Sequence, residues 1–239
     1  MKDELIEVRK RLLSAKSLTV LSGAGISAES GIPTFRGKEG LWNKHRAEDL
    51  ATPEAFQRDP KLVWAWYQWR RVLIATKNPN AAHEALVTLE TKAASFSLIT
   101  QNVDGLHTKA GSRLVIELHG NIWKMCCTAC GRKTENHAAS LSPLPCCETC
   151  QGLLRPDIVW FGEDLDPDNL NRSLDACRNA DVMLIIGTSG VVQPAASFAS
   201  IAKEAGAFVV EINPQPVLSY LADLVFSEKA AVLLPQVIA

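Results

Sequence analysis

The sequence predicts an α/β protein: a Rossmann-like, doubly wound parallel sheet with a smaller zinc-binding module inserted into it. Three observations carry this. Short apolar runs (SLTVLS, SFSLIT, DVMLII, AFVVEI) recur between stretches of helical periodicity, as strands buried on both faces require. The first run breaks into the glycine-containing turn VLSGAGIS, the form of a strand handing over to a helix. Six of the 7 cysteines fall between Cys126 and Cys150, where hydrophobic periodicity fails.

In chain order, KDELIEVRKRLLSAK places Leu5, Val8 and Leu12 on one face of an amphipathic helix, and SLTVLS follows as a strand. Residues 53–77 read as mostly helical and rich in aromatics, with Trp64, Trp66, Tyr67 and Trp69 close together. Asn80 is placed to cap the helix AAHEALVTLE. SFSLIT and RLVIEL read as strands on either side of QNVDGLHTKAG. Periodicity then lapses over about 121–155, the composition of a module whose core needs a metal. Asp166 and Pro167 are a cap and first turn for a helix that sets Leu170, Leu174 and Cys177 on one face. DVMLII ends in GTSG, a helix spans about 195–205 up to Gly206, and AFVVEIN is the next strand.

The composition narrows the function. The 239 residues are 47% hydrophobic and carry 25 basic against 26 acidic groups, which offers no long-range attraction to nucleic acid or an anionic membrane. No segment has the form of a signal peptide or a spanning helix, so the expected location is the cytoplasm. Clustered cysteines in such a chain favour metal ligation over disulfides.

Gly23 and Gly25 in the first strand–helix turn allow close approach to a diphosphate, with Ala28 as the third small residue. The alternative is a plain glycine turn. Glu48 and Asp49 lie at the distance of a ribose-binding acid but in polar, non-strand surroundings, so an ordinary hydride-transfer enzyme fits poorly. Gly187, Thr188 and Ser189 after DVMLII, and Asn213 after VVEI, add two more polar strand ends that could face one ligand.

Cys127-x2-Cys130 and Cys147-x2-Cys150 form two chelating pairs that close a tetrahedron around one zinc ion, a structural rather than catalytic arrangement. Cys126 and Cys146 adjoin these ligands and are either neighbouring thiols or alternative ligands.

QNVDGLH and ELHGN carry residues suited to acid–base work. Asn102 and Asp104 could orient an amide and a ribose, and His119, after VIEL, could take a proton near neutral pH. A satisfied structural histidine is the competing reading, and His107 reads as a buttress of its loop.

Together, GAGIS (23–27), GIPTFRG (31–37), QNVDGLHTKAG (101–111), HG (119–120), both Cys-x2-Cys pairs, VWFGE (159–163), GTS (187–189) and EIN (211–213) resemble the sirtuin family over essentially the whole chain. The resemblance implies an NAD-dependent protein-lysine deacylase, with NAD consumed as the acyl acceptor. The acyl oxygen would attack the nicotinamide ribose as nicotinamide leaves. His119 would then act as base through the ribose hydroxyls, giving lysine and 2′-O-acyl-ADP-ribose. It implies that Ala24, Ile32, Phe35 and Arg36 border the nicotinamide pocket. Gln101, Asn102, Val103 and Asp104 would shape the ribose and nicotinamide sites. Gly187, Ser189, Asn213 and the glycine turn would hold the adenosine diphosphate portion. Val159, Phe161, Gly162 and Glu163 would wall a groove for an extended acyl-lysine peptide, with Val191 and Val192 opposite.

Tyr67 and Arg70, three residues apart on a helix, share a face and could receive a carboxylate; in an anonymous helix they would be a packed ring and a solvent-reaching arginine. Within the resemblance, Tyr-x-x-Arg is similar to the branch that accepts malonyl-, succinyl- and glutaryl-lysine, with acetyl also admitted. Arg71, turned about 100° from Arg70, is not part of that receptor. Gln215, Val217 and Glu228 depart from the family pattern, and Glu228 raises the question of hindrance near the adenine.

The expected organisation is an NAD-binding domain of 1–35, 78–120 and 156–239, a helical cofactor-loop and acyl-pocket segment at 36–77, and the zinc module at 121–155. Acyl-lysine proteins or peptides are the expected partners, without nucleic acid or membrane, and the chain is expected as a monomer. ADP-ribose transfer to protein and non-catalytic NAD or ADP-ribose sensing are the competing functions.

Overall fold

A computed structural model describes residues 2–34, 47–141 and 144–238. Six parallel strands form the main sheet: β1 (Ser17–Ser22), β2 (Ser95–Thr100), β3 (Val115–Glu117), β7 (Val182–Ile186), β8 (Phe208–Ile212) and β9 (Leu224–Phe226). Their spatial order is β3-β2-β1-β7-β8-β9, so the connection reverses direction between β1 and β7. That switch point opens a crevice beyond the carboxyl ends of the strands. β3 is shorter than RLVIEL because it pairs only with Leu98–Thr100 at the sheet edge.

Both faces are covered. Val8 of α1 (Lys2–Ser14), Leu86 of α6 (Ala81–Lys92) and Leu233 of α10 (Ala230–Ile238) pack with Leu18 and Val20 on one side. Cys177 of α8 (Pro167–Arg178) and Phe198 of α9 (Phe198–Glu204) pack with Leu21 and Ile185 on the other. The period-two alternation along β1 divides its residues between these two cores. The caps are local: Asp166 accepts from the amides of Asp168 and Asn169 at 3.0 and 3.1 Å, and Asn80 accepts from Ala82 at 2.9 Å.

A second, antiparallel sheet of order β5-β4-β6 runs from Gly120 to Ile158: β4 (Gly120–Cys127), β5 (Lys133–Glu135) and β6 (Leu154–Ile158). It does not depend on its own apolar residues alone. Trp64, Trp66 and Tyr67 of α5 (Pro60–Ala75) and Phe56 of α4 (Pro53–Arg58) share a buried cluster with Trp123, Leu154 and Trp160. The Trp64 indole donates to Leu154 O at 2.8 Å. Arg71 is fully buried and donates to Ile122 O at 2.6 Å, Ala138 O at 2.7 Å and Asn136 O. The aromatic helix is thus the core of the small unit, fastened to it by one guanidinium that satisfies three carbonyls.

Candidate active site

One cavity of about 1320 Å³ occupies the crevice, lined by the ends of β1, β2, β7 and β8, by α5, and by the segment after β6. Gly23, Ala24, Gly25, Gln101, Asn102, His119, Gly187, Thr188, Ser189 and Asn213 all line it, as do Tyr67, Arg70, Val159, Phe161, Gly162 and Glu163. Phe35 and Arg36 lie outside the described residues.

Sheet packing explains why the first turn needs its glycines. A Cβ on Gly25 would lie 2.6 Å from Gly187 Cα, and one on Gly23 would lie 2.8 Å from Gly187 O. The amide of Gly25 donates to Gly187 O at 2.9 Å, so the β1 and β7 turns are in backbone contact. This close approach already accounts for both residues, whatever anion the turns also bind. The helix that follows, α2 (Gly25–Ala28), is only one turn.

Polar side chains tie the strand ends together. Gln101 Nε2 donates to Thr188 Oγ1 at 2.9 Å, and Asn213 Nδ2 donates to Thr188 O at 2.8 Å. The Thr188 hydroxyl, expected to serve a cofactor, is therefore engaged by Gln101. Asn102 Nδ2 donates to Gly23 O and Ser27 Oγ, both at 3.2 Å, which locks the β2 end beneath the first turn.

Asp104 sits one layer deeper than expected. It does not line the main cavity; it lines an adjoining space of about 10 Å³ with Asn102, Ile32 and Arg70. One carboxylate oxygen accepts from Leu106 N at 2.8 Å at the start of α7 (Leu106–Ala110), and burial raises its pKa. Its first task is to shape its own loop.

His119 is better exposed to the cavity. Its Nδ1 is 3.2 Å from Gln101 O. A carbonyl can only accept, so Nδ1 carries the proton and Nε2 keeps its lone pair. Burial lowers the pKa of this imidazole, against a smaller opposing effect of the Gln101 bond, and so favours the neutral, basic form at pH 7. His107 buttresses instead: Nε2 lies 2.9 Å from Ser22 Oγ, and its ring packs 4.9 Å from His83.

On α5, Tyr67 and Arg70 are 1% and 4% exposed, and both face the cavity. The reading of Arg70 as a solvent-reaching side chain does not hold. Its guanidinium lies 5.0 Å from the Trp66 ring and 5.9 Å from the Tyr67 ring, and burial lowers its pKa. Burial pushes the Tyr67 phenol up to about 12, so it remains a neutral donor. Glu163 departs from a simple groove contact. Its carboxylate accepts from Arg155 at 2.5 and 2.8 Å and from Trp160 N at 2.8 Å, so it holds the wall together. Val191 is 59% exposed and outside the residues lining the cavity, whereas Val192 lines it.

Glu228 does not line the cavity; it is exposed and accepts from Lys229 N at 2.8 Å, while Lys229 and Ala230 contribute to the wall. Gln215 and Val217 line it too. Trp160, Gln193 and Lys229 also line the cavity, although no local sequence signal gives them a role. Trp160 lies within VWFGE, but its partner is 93 residues away.

Away from the cavity, the sulfurs of Cys127, Cys130, Cys147 and Cys150 all lie within 4.8 Å of one another. Cys127 and Cys150 sulfurs are 3.4 Å apart, and those of Cys130 and Cys147 are 3.8 Å apart. Zn–S bonds of about 2.3 Å in a tetrahedron place sulfurs about 3.8 Å apart, so the donor set fits one structural zinc. None of the 7 cysteines is joined in a disulfide. Cys126 and Cys146 lie outside the four-sulfur group; Cys126 alternates to the opposite side of β4 from Cys127.

The Sir2 family model matches residues 23–194. The chain belongs to the Sir2 family. A relative named NAD-dependent protein deacylase, from Aquifex aeolicus (strain VF5), is 55% identical over 223 residues, covering 92% of this chain and 93% of the relative. A solved Sir2 homolog–NAD complex superposes with a TM-score of 0.92 at 48% identity, covering 98% of this chain and 92% of that one. A Sir2–p53 peptide–NAD+ complex gives 0.87 at 31% identity, covering 100% and 97%. The Sir2 architecture thus extends over the parallel sheet and the cysteine-bearing unit alike. Among the described residues, no helix is long and apolar enough to cross a membrane.

Proposed function

We propose that this protein is an NAD-dependent protein-lysine deacylase with a preference for short anionic acyl groups, malonyl and succinyl, and retained activity on acetyl-lysine. The observation that carries the proposal is a single cavity that holds strand-end loops suited to a dinucleotide, the imidazole of His119, and the Tyr67–Arg70 pair. The named Sir2 relatives act with or bind NAD, and one binds a peptide.

In this reading the β1, β7 and β8 ends, with Gly23, Ala24, Gly25, Gly187, Thr188, Ser189 and Asn213, hold the dinucleotide. Phe35 and Arg36 belong to the same role. Gln101 and Asn102 present amides to the nicotinamide riboside, and Asp104 sets their loop from beneath. The peptide lies along Val159, Phe161, Gly162 and Glu163 through main-chain bonds. Holding both substrates in one crevice replaces a chance encounter with a positioned reaction. Neutral His119 takes a proton from a ribose hydroxyl through Nε2 while Gln101 O holds its other nitrogen. NAD supplies the ribose that accepts the acyl group. The reading keeps the organisation expected from the sequence: an NAD-binding domain, a helical acyl-pocket segment and a zinc-held module.

A charge-assisted contact from Arg70 contributes about 1.5–3 kcal/mol to an anionic acyl group. That corresponds to roughly 10- to 100-fold in relative rate if kept in the transition state. The test offers matched acetyl-, malonyl- and succinyl-lysine peptides with NAD and identifies peptide and nucleotide products by mass. Tyr67→Phe with Arg70→Met should abolish the anionic preference; unchanged ratios would sink that assignment. Protein-linked ADP-ribose without deacylation would favour transfer of ADP-ribose instead.

A further inference from the structure

The acyl end of the cavity is built from donors. Arg70 has five N–H groups and no acceptor, and the Tyr67 hydroxyl already accepts from the Trp160 indole Nε1 at 2.8 Å. That indole is the partner recorded for the hydroxyl among the described residues. The indole N–H occupies one acceptor site of the phenol oxygen and so limits the directions in which the hydroxyl proton can point. Trp160 cannot donate elsewhere without moving. Its backbone amide is bonded to Glu163 at 2.8 Å, the Arg155 guanidinium lies 3.5 Å over its ring, and Phe56 packs 5.3 Å away. Arg155 is held in turn by Glu163 and by Ile158 O at 2.9 Å. The pairing also neutralises Glu163, whose charge would otherwise repel an anion at this wall.

We infer that Trp160 is a positioning residue for acyl selectivity: its indole N–H orients the Tyr67 hydroxyl so that its proton, beside the Arg70 guanidinium, is turned to a carboxylate-terminated acyl group. This rests on the anionic-acyl reading above. Without that indole, the hydroxyl is free to rotate, and a carboxylate must order it on binding.

The test compares kcat and KM for succinyl- and acetyl-lysine peptides in wild type and Trp160→Phe. The succinyl-to-acetyl ratio of kcat/KM should fall roughly tenfold, through a raised KM for the succinyl peptide. Benzothienylalanine at position 160 keeps the shape of the indole and removes only its N–H, so it serves if the phenylalanine variant folds poorly; the same fall is expected. In a Tyr67→Phe background, removal of the N–H should cause no further fall. If wild type shows no preference for succinyl over acetyl, the anionic-acyl reading fails and this inference with it. A preference that survives loss of the indole N–H overturns the role of Trp160 alone.

Discussion

Nδ1 of His119 donates to the main-chain oxygen of Gln101 at 3.2 Å, which couples the orientation of the proposed base to the loop that carries Asn102. Burial lowers the pKa of this imidazole. Its unprotonated form should therefore persist to pH values below the ordinary histidine range, near 6.5. The acid limb of kcat/KM should inflect below that value, and His119→Ala should cut turnover by roughly 10²–10⁴-fold. An acid limb with its midpoint above pH 7 would contradict this assignment.

Adjacent arginines should behave oppositely. Arg71→Met strands the carbonyls of Ile122, Asn136 and Ala138 and should cost about 3 kcal/mol or more. For a chain of this size that lowers Tm by roughly 2–4 °C per kcal/mol. Arg70→Met should act mainly on the succinyl-to-acetyl ratio. Thermal unfolding beside peptide kinetics separates the two effects.

One zinc per chain is expected by metal analysis. Chelation should unfold the β5-β4-β6 sheet while the parallel sheet persists, visible as loss of Trp123 burial in fluorescence with much far-UV signal retained. Cys126→Ser and Cys146→Ser should leave the stoichiometry at one, and Cys147→Ser should lower it.

The buried pair His83 and His107 makes stability sensitive to acid. Burial lowers their pKa values to about 4 and about 3. Above about pH 6.5 both are neutral whether the chain is folded or not, and they contribute no slope. Between about 6.5 and 4 the unfolded chain binds protons that the native state refuses. Stability then falls as pH falls, by up to about 1.4 kcal/mol per pH unit for each histidine. Denaturant unfolding across this window should show the slope, and His83→Gln should reduce it. His83 Nδ1 accepts from Asn80 N at 3.3 Å, a role that the glutamine oxygen can keep.

Helices, strands and caps were readable along the chain because their causes are local: a period of two or 3.6, an Asn or Asp before a helix, a glycine after a strand. The zinc ligands were readable for the same reason, since a Cys-x2-Cys turn chelates through neighbours. Tertiary structure alone decided the rest. It set Gly25 against Gly187, placed Asp104 beneath the cavity rather than in it, and engaged Thr188 with Gln101. It also bound the Glu163 carboxylate to Arg155 and joined Trp160 to Tyr67 across 93 residues. Spacing can assign a side chain to a face of its own helix or strand. The partner it meets there depends on how separate elements pack, and the hydrogen bonds that satisfy a buried polar atom exist only once they have packed.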